Sequence, residues 1–377
     1  MTAPRSVDEC IRPKRLADCI GHERPRRFLK MLVDAAMETG ESVHHILFVG
    51  PAGLGKTTLA EAVAHEMETD FFYLNATTIS DTMPLVNALS SAEDGDVIFI
   101  DEIHRMPGIC EEWLYEPMER LCVNVPEGDP IWKAGHWSVA PFTLIGATTR
   151  PDLLSKPLLS RFGEPVILAL MTPDDLGRVV KRSAAVLGWR ITEEAAAMIS
   201  AASKGVPRAA NVLLKRAHCR AVVESGLIDT EAVAYLLDAT DVEAHGLNAS
   251  ERAVLNVLAD APFNKRRERR PIGLATLASV AGVADAEVVK ETVEPYLLWA
   301  GLITRGGGGR VITPKGLALI RPPKTLEEPE TPPDPQPESV EVVKPKPPPM
   351  PEKPAAVKPL LASPPSADAL RAVLAQM

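Results

Sequence analysis

Gly50-Pro51-Ala52-Gly53-Leu54-Gly55-Lys56-Thr57 is the stretch that decides how this chain folds. It matches G-x-x-x-x-G-K-[ST], the phosphate-binding loop of nucleotide hydrolases. Its flanks supply the required context. His45-Ile46-Leu47-Phe48-Val49 is a short apolar run that reads as a buried parallel strand, and Thr58 to Ala64 opens a helix. Strand, loop and helix together aim backbone N–H groups and the positive end of a helix at a polyphosphate. Gly53 and Gly55 let the backbone curl without a Cβ in the way. Lys56 can reach the β- and γ-phosphates of ATP, and the Thr57 hydroxyl can ligate Mg²⁺.

Working outward, a helix is expected over residues 24–38, a strand over 71–74 and a helix over 83–91. Val97-Ile98-Phe99-Ile100 then runs into Asp101-Glu102, two carboxylates at the C-terminal end of a strand, where open α/β sheets bind ligands. Asp101 would hold the metal and Glu102 would activate the attacking water. A further apolar run, 142–147, ends in Thr148-Thr149-Arg150, and a strand is expected over 165–170. A polar residue at such a strand end can orient water against the γ-phosphate. Strands alternating with helices imply an α/β fold with a mostly parallel, helix-flanked sheet. From Thr172 to about Asp241 the pattern is all-helical, with Thr172 and Thr192 as N-caps and Pro207-Arg208 opening a helix. Residues 248–320 read as helices near 250–258, 274–281 and 286–298, then a Gly-rich hairpin around 306–309, the pattern of a winged helix.

Composition narrows the class. With 377 residues, 46% hydrophobic and 24% charged, the chain is long enough for two or three ordinary globular domains. It has no apolar run long enough to cross a membrane and no apolar leader, so a cytoplasmic protein without membrane partners is expected. Its five cysteines show no ligand spacing and read as buried or half-buried thiols. The net charge of −9 hides an uneven distribution: residues 1–249 carry 24 Lys/Arg against 35 Asp/Glu, while residues 250–321 carry 11 against 7. That basic module is the expected nucleic-acid contact. Within it, Lys265, Arg266, Arg267, Arg269 and Arg270 can neutralise phosphates without reading sequence, and Arg305 and Arg310 flank the wing. A solvated loop is the alternative for the 265–270 run. Residues 322–365 are a Pro-rich, extended linker, since the segment after Arg321 holds 16 of the 35 prolines. Residues 366–377 have helical spacing (Leu370, Val373, Leu374, Met377), which fits either a short docking helix for a further partner or a frayed tail.

Residues 11–320 resemble the RuvB family of Holliday junction branch-migration motors. The resemblance rests on Arg12-Pro13-Lys14 with Ile20-Gly21, the loop Gly50 to Thr58, Asp101-Glu102-Ile103-His104-Arg105, Pro141 to Arg150, Arg161-Phe162-Gly163 and Pro295-Tyr296-Leu297. It implies an AAA+ ATPase domain (1–171), a helical lid (172–247), a winged helix (248–321), and a ring, taken as a hexamer, around duplex or four-way junction DNA. It also implies roles. Lys56, Thr57, Asp101 and Glu102 keep those argued above; Thr148 becomes the strand-end sensor, Arg161 the arginine finger and Arg208 the second sensor. Arg12, Cys19, Ile20, Gly50, Gly53, Leu54, Gly55, Thr58, Met171 and Pro207 complete the nucleotide pocket. From the residues alone, Arg161 and Arg208 read equally well as surface ion-pair formers.

This sequence departs from the family pattern in four places. Pro157-Leu158-Leu159-Ser160-Arg161 lacks the Arg and Asp that usually precede the finger, and Met171 stands where an adenine-packing aromatic is usual. The hairpin between Met118 and Pro141, the family's surface for the partner RuvA, carries Ile131-Trp132 and Trp137. A diverged partner or ordinary hairpin packing would each account for these tryptophans. The fourth departure is the inserted 265–270 run. An AAA+ loader that places another protein on DNA is the competing function, and a scaffold with a degenerate ATPase is a third. The intact Lys56, Asp101, Glu102 and Arg161 argue against the scaffold.

Overall fold

The structure is a computed structural model that describes residues 6–125, 135–224, 226–242, 246–263 and 269–321. Ile131, Trp132, Lys265, Arg266, Arg267 and residues 322–377 lie outside these. In chain order the first elements are α1 (Val7–Ile11), α2 (Glu23–Thr39), β1 (Ile46–Val49), α3 (Lys56–Met67), β2 (Phe71–Asn75), α4 (Met83–Ser91) and β3 (Val97–Asp101). Next come α5 (Gly108–Arg120), the pair β4 (Cys122–Val125) and β5 (Gly135–Ser138), β6 (Thr143–Thr148), α6 (Lys156–Phe162) and β7 (Val166–Ile167). β2, β3, β6, β1 and β7 form one parallel sheet in that order. Helices cover both faces, which is why Val97 to Ile100 and Leu144-Ile145 are buried as continuous apolar runs with no polar alternation.

The sheet's register sets up the site. Val49 pairs with Thr148 across β1 and β6, and the Gly50 N–H donates to the Thr148 carbonyl at 3.1 Å. The glycine loop therefore starts level with the end of β6, and Asp101 closes β3 at the same edge. The strand expected over 165–170 is only two residues long. Past Leu168 the chain turns away toward the lid, where the Met171 N–H donates to the Gly205 carbonyl.

The lid comprises α7 (Pro173–Val186), β8 (Arg190–Ile191), α8 (Glu193–Ala202), α9 (Pro207–Glu224), β9 (Leu227–Ile228) and α10 (Thr230–Ala239). Thr172, Thr192 and Asp229 each cap a helix through the side-chain oxygen. The expected all-helical segment thus also holds a short parallel β8–β9 pair. The linkers leaving α7 and α9 run side by side there, and Thr192 donates to Ile228.

α11 (Ala249–Ala259), α12 (Leu274–Ala281), α13 (Ala286–Val288), α14 (Glu294–Trp299), β10 (Ile303–Gly306), β11 (Gly309–Ile312) and α15 (Pro314–Ile320) build the winged helix. The single helix expected over 286–298 is broken by a π turn at Val289–Val293. Pro295 supplies the reason, since it has no N–H to continue the α ladder back to residue 291. The cysteine expectation also needs correction: Cys19 and Cys110 are buried and Cys122 is half-buried, but Cys10 and Cys219 are exposed.

Lid and winged helix are joined by an ion pair whose carboxylate is buried. Lys204, held at φ +54°, donates to both carboxylate oxygens of Glu251 at 2.6 Å, and Glu251 is 2% exposed. Glu251 also accepts the Asn248 N–H in a capping box on α11. Removing Lys204 leaves the buried Glu251 carboxylate without its cation, whereas Lys204 itself is 24% exposed. Lys204→Met is expected to cost about 3 kcal/mol of unfolding free energy, read as a lowered midpoint in chemical denaturation followed by circular dichroism.

Candidate nucleotide site and nucleic-acid interface

A cleft of about 440 Å³ opens where the glycine loop meets the lid. The loop's shape depends on its glycines. Gly53 sits at φ +81°, and a Cβ there would lie 2.8 Å from Val206 and 3.1 Å from the Cβ of Arg208. Gly50 backs onto Leu168, whose carbonyl would sit 2.4 Å from an added Cβ. Gly55, in the left-handed region, starts α3 and turns its N-terminus toward the cleft.

Lys56 is buried, and its ammonium donates to the carbonyls of Gly50 (2.8 Å) and Pro51 (3.0 Å). Burial lowers its pKa from the ordinary lysine value, with Glu102 and Asp101 opposing the drop and Arg208 adding to it. Thr57, Thr58, Asp101 and Glu102 line the same cleft. Asp101 accepts the Glu102 N–H at 3.0 Å and the Tyr73 hydroxyl at 3.3 Å. Glu102 itself lies in the left-handed region, at φ +50°. That is an unfavourable backbone for a non-glycine residue and the kind held in place at functional sites. Its Oε2 is within 3.3 Å of both the Thr149 hydroxyl and His104 Nδ1. His104 Nδ1 is also 3.0 Å from the hydroxyl of fully buried Thr148. Burial pulls the His104 pKa below its usual value, partly offset by Glu102.

The lid forms the other wall. Arg208 lines the cleft, and its N–H donates to the Gly53 carbonyl at 3.3 Å. Pro207 and Met171 stand beside it, with the Met171 thioether 3.2 Å from where a Cβ on Gly21 would be. Arg12, Cys19 and Ile20 complete the rim. Arg12 is ion-paired to Glu61 on α3 at 2.6 Å, and the Cys19 thiol is pushed up to about 11 by burial. Leu54 is a core side chain. It takes part through its carbonyl, which lies 3.1 Å from His22 Nε2. The two sequence candidates behind the cleft are Gly50 and Thr148, joined through their backbones.

Arg161 is elsewhere. Its guanidinium rests over the Tyr115 ring at 4.2 Å, pairs with Glu119 at 2.8 Å and donates to the Pro157 carbonyl. It borders a separate cavity of about 740 Å³ with His44, His45 and Phe162. Sequence reasoning missed His22, Arg182 and Asn211, which also line the nucleotide cleft. Asn211, one turn beyond Arg208, buries an Oδ1 with no hydrogen-bond partner. Its only advance signal was its helical spacing from Arg208.

These features have known counterparts. Residues 11–168 match the P-loop domain of the Holliday junction DNA helicase RuvB, 171–243 the RuvB AAA lid domain, and 244–321 the RuvB C-terminal winged helix domain. The Holliday junction branch migration complex subunit RuvB of Kosmotoga olearia is 39% identical over 307 residues, covering 81% of this chain and 88% of that one. The chain belongs to the RuvB family. The RuvB subunit of Salinispora tropica is 42% identical over 313 residues, 82% of this chain and 87% of its own. Among solved structures, the Thermotoga maritima RuvB Holliday junction branch migration motor superposes with a TM-score of 0.68 at 36% identity, covering 82% of this chain and 98% of that one.

In this RuvB-family winged helix the arginines are not all open to a phosphate. Arg310 donates from Nε and Nη2 to Glu294 at 2.9 Å, and Arg305 donates to the same carboxylate at 2.9 Å. Glu294 is 1% exposed and Arg310 14%, whereas Arg305 is 54% exposed. Arg310 therefore anchors the wing, and Arg305 keeps a solvent face. Arg269 donates to the carbonyls of Ala259 and Ala261 and lies over the Phe263 ring, so it braces the end of α11. Arg270 is exposed.

Two outcomes are expected here. Gly53→Ala forces strain and a collision with the lid, so the Kd for a fluorescent ADP analogue should rise about tenfold or more; an unchanged Kd would place the nucleotide elsewhere. For Glu294, burial raises the carboxyl pKa, but the two guanidiniums outweigh it and the net shift is downward from 4.5. A depressed folded pKa contributes stability above the unfolded value that is lost as pH falls through the folded one. The wild-type melting temperature should therefore drop more steeply below pH 4.5 than that of Glu294→Gln.

Proposed function

We propose that this chain is an ATP-driven motor that promotes branch migration of Holliday junctions, working in the cytoplasm as a ring of identical subunits. One observation supports this most directly. Lys56, Thr57, Asp101, Glu102 and Arg208 converge on one cleft, while Arg161 lies outside it on α6. A finger that does not face its own nucleotide is placed to serve a neighbour's.

The residues fit Mg-ATP. Thr57 and Asp101 offer the hydroxyl and carboxylate that a hard cation takes, and Gly50 and Gly53, where a Cβ would collide with Leu168 and with Val206, let the loop hold its curled shape. When bound, Mg²⁺ would neutralise charge on the β- and γ-phosphate oxygens. Lys56 binds the same phosphates, Glu102 holds and polarises the attacking water, and Thr148 orients it. Arg208 closes the lid over the nucleotide. Duplex DNA is held through its phosphates by the basic winged helix, with Arg270 and Arg305 as exposed contacts, so the motor need not read sequence. The β4–β5 hairpin, where Trp137 is 39% exposed, is the docking surface for a RuvA-like partner.

Branch migration on a synthetic four-way junction, with and without such a partner, tests the assignment. Wild type should migrate the junction and Glu102→Gln should not. ATP turnover without migration would favour a loader that places another protein on DNA. The trans role of Arg161 has its own test. Arg161→Ala and Glu102→Gln should each be inactive alone, yet their mixture should recover turnover. Mixed interfaces then pair an intact Glu102 with an intact Arg161. No recovery on mixing would refute a finger acting between subunits.

A further inference from the structure

We infer that His104 is the positioning residue through which Thr148 controls Glu102, so that the base is oriented only when Thr148 has turned to the nucleotide. The inference rests on the reading of Glu102 as the base.

One nitrogen faces two clients. Nδ1 of His104 is 3.0 Å from the Thr148 hydroxyl and 3.3 Å from Glu102 Oε2. The hydroxyl of Thr148 already accepts the Arg150 N–H at 2.9 Å, so its own proton points elsewhere, and Nδ1 is the acceptor within reach. A neutral imidazole nitrogen either accepts or donates. With Nδ1 as acceptor, it holds the Thr148 proton and offers only a lone pair to the carboxylate. With Nδ1 carrying hydrogen, it donates to Glu102 and cannot take the Thr148 proton. The two bonds exclude each other.

The surroundings keep this choice local. The His104 side chain is 6% exposed and Thr148 is fully buried, so water does not readily substitute for either partner. Thr148 is pinned by its backbone, which accepts from Gly50 at the head of the glycine loop, leaving its hydroxyl rotor as the movable part. When that hydroxyl turns to a nucleotide phosphate, the ring is free to change tautomer, losing the proton from Nε2 and gaining one at Nδ1, and Nδ1 can then donate to Glu102. The carboxylate, which among the described residues otherwise accepts from the Thr149 hydroxyl at 3.3 Å, then has a second donor. His104 touches neither phosphate nor water in this scheme. Its effect runs through Glu102.

His104→Asn and His104→Gln, in the full chain, separate this role from packing. The Asn amide reaches about as far as Nδ1, and the Gln amide overshoots it. Steady-state ATP turnover is measured with duplex DNA, and nucleotide affinity with a fluorescent ATP analogue, with Glu102→Gln alongside. His104→Gln should lose about tenfold or more in kcat with Kd changed by no more than about twofold, the pattern of a lost transition-state interaction. His104→Asn should keep kcat within about threefold of wild type. Wild-type turnover by His104→Gln overturns the inference. So does equal impairment of both variants, or a rise in Kd that matches the fall in kcat. If Glu102→Gln turns over normally, the base reading fails and this falls with it. If Glu102→Gln is dead while His104→Gln is normal, only the role of His104 fails.

Discussion

Everything in the ATPase half depends on the close approach of the glycine loop to the lid. Gly53 has no side chain, so Val206 and Arg208 can pack on its backbone, and Arg208 donates directly to its carbonyl. The nucleotide cleft therefore has two walls from two different packing units. One is held by the parallel sheet, with Thr148 and Asp101 at its edge, and the other by the four-helix lid. A ligand that touches both walls has differential contact with open and closed arrangements, which is what coupling between sites requires. The segment carrying Arg12 and Cys19 ties the walls together from behind. Arg12 reaches Glu61 on α3, while Arg182 of the lid donates to the Ile11 carbonyl at 2.7 Å.

Much of this was legible because it is local in sequence. The loop motif, the apolar strands flanking it, the Asp-Glu pair and the N-caps each occupy a few consecutive residues, and α4 and α12 fall on the spans that periodicity suggested. What stayed hidden depends on partners far along the chain. Arg310 looked like a phosphate contact because nothing near it announces Glu294, sixteen residues away and fully buried. The π turn follows from Pro295, a local breaker set inside an otherwise helical run. His104 sits inside a family-like block, yet its two contacts become visible only once β6 lies beside β3. The short β8–β9 pair is set by two linkers meeting, which no periodicity encodes.

The missing Arg and Asp upstream of Arg161 now have a structural setting. Leu158 in that segment is buried in the core, and Ser160 caps back onto Pro157, so this stretch of α6 is fastened by packing. Arg161 takes its partners from α5 instead, stacking on Tyr115 and pairing with Glu119. Tyr115 in turn shares a hydrogen bond of 2.9 Å with Ser155, the N-cap of α6. Arg161, carried on α6, is thus braced against α5, the helix that leads directly into the β4–β5 hairpin.

Lys204 and Glu251 decide which part of the molecule the winged helix is fastened to. Their bond is doubled, buried on the carboxylate side and adjacent to the turn that presents Arg208, whereas Arg150 of the ATPase domain and Glu291 of the winged helix are an exposed pair 3.8 Å apart. Dissolved ions screen the second more than the first. Lid and winged helix should therefore swing as one lever with its fulcrum at the glycine loop. Ionic strength would set how freely that lever turns without parting the lid from the winged helix.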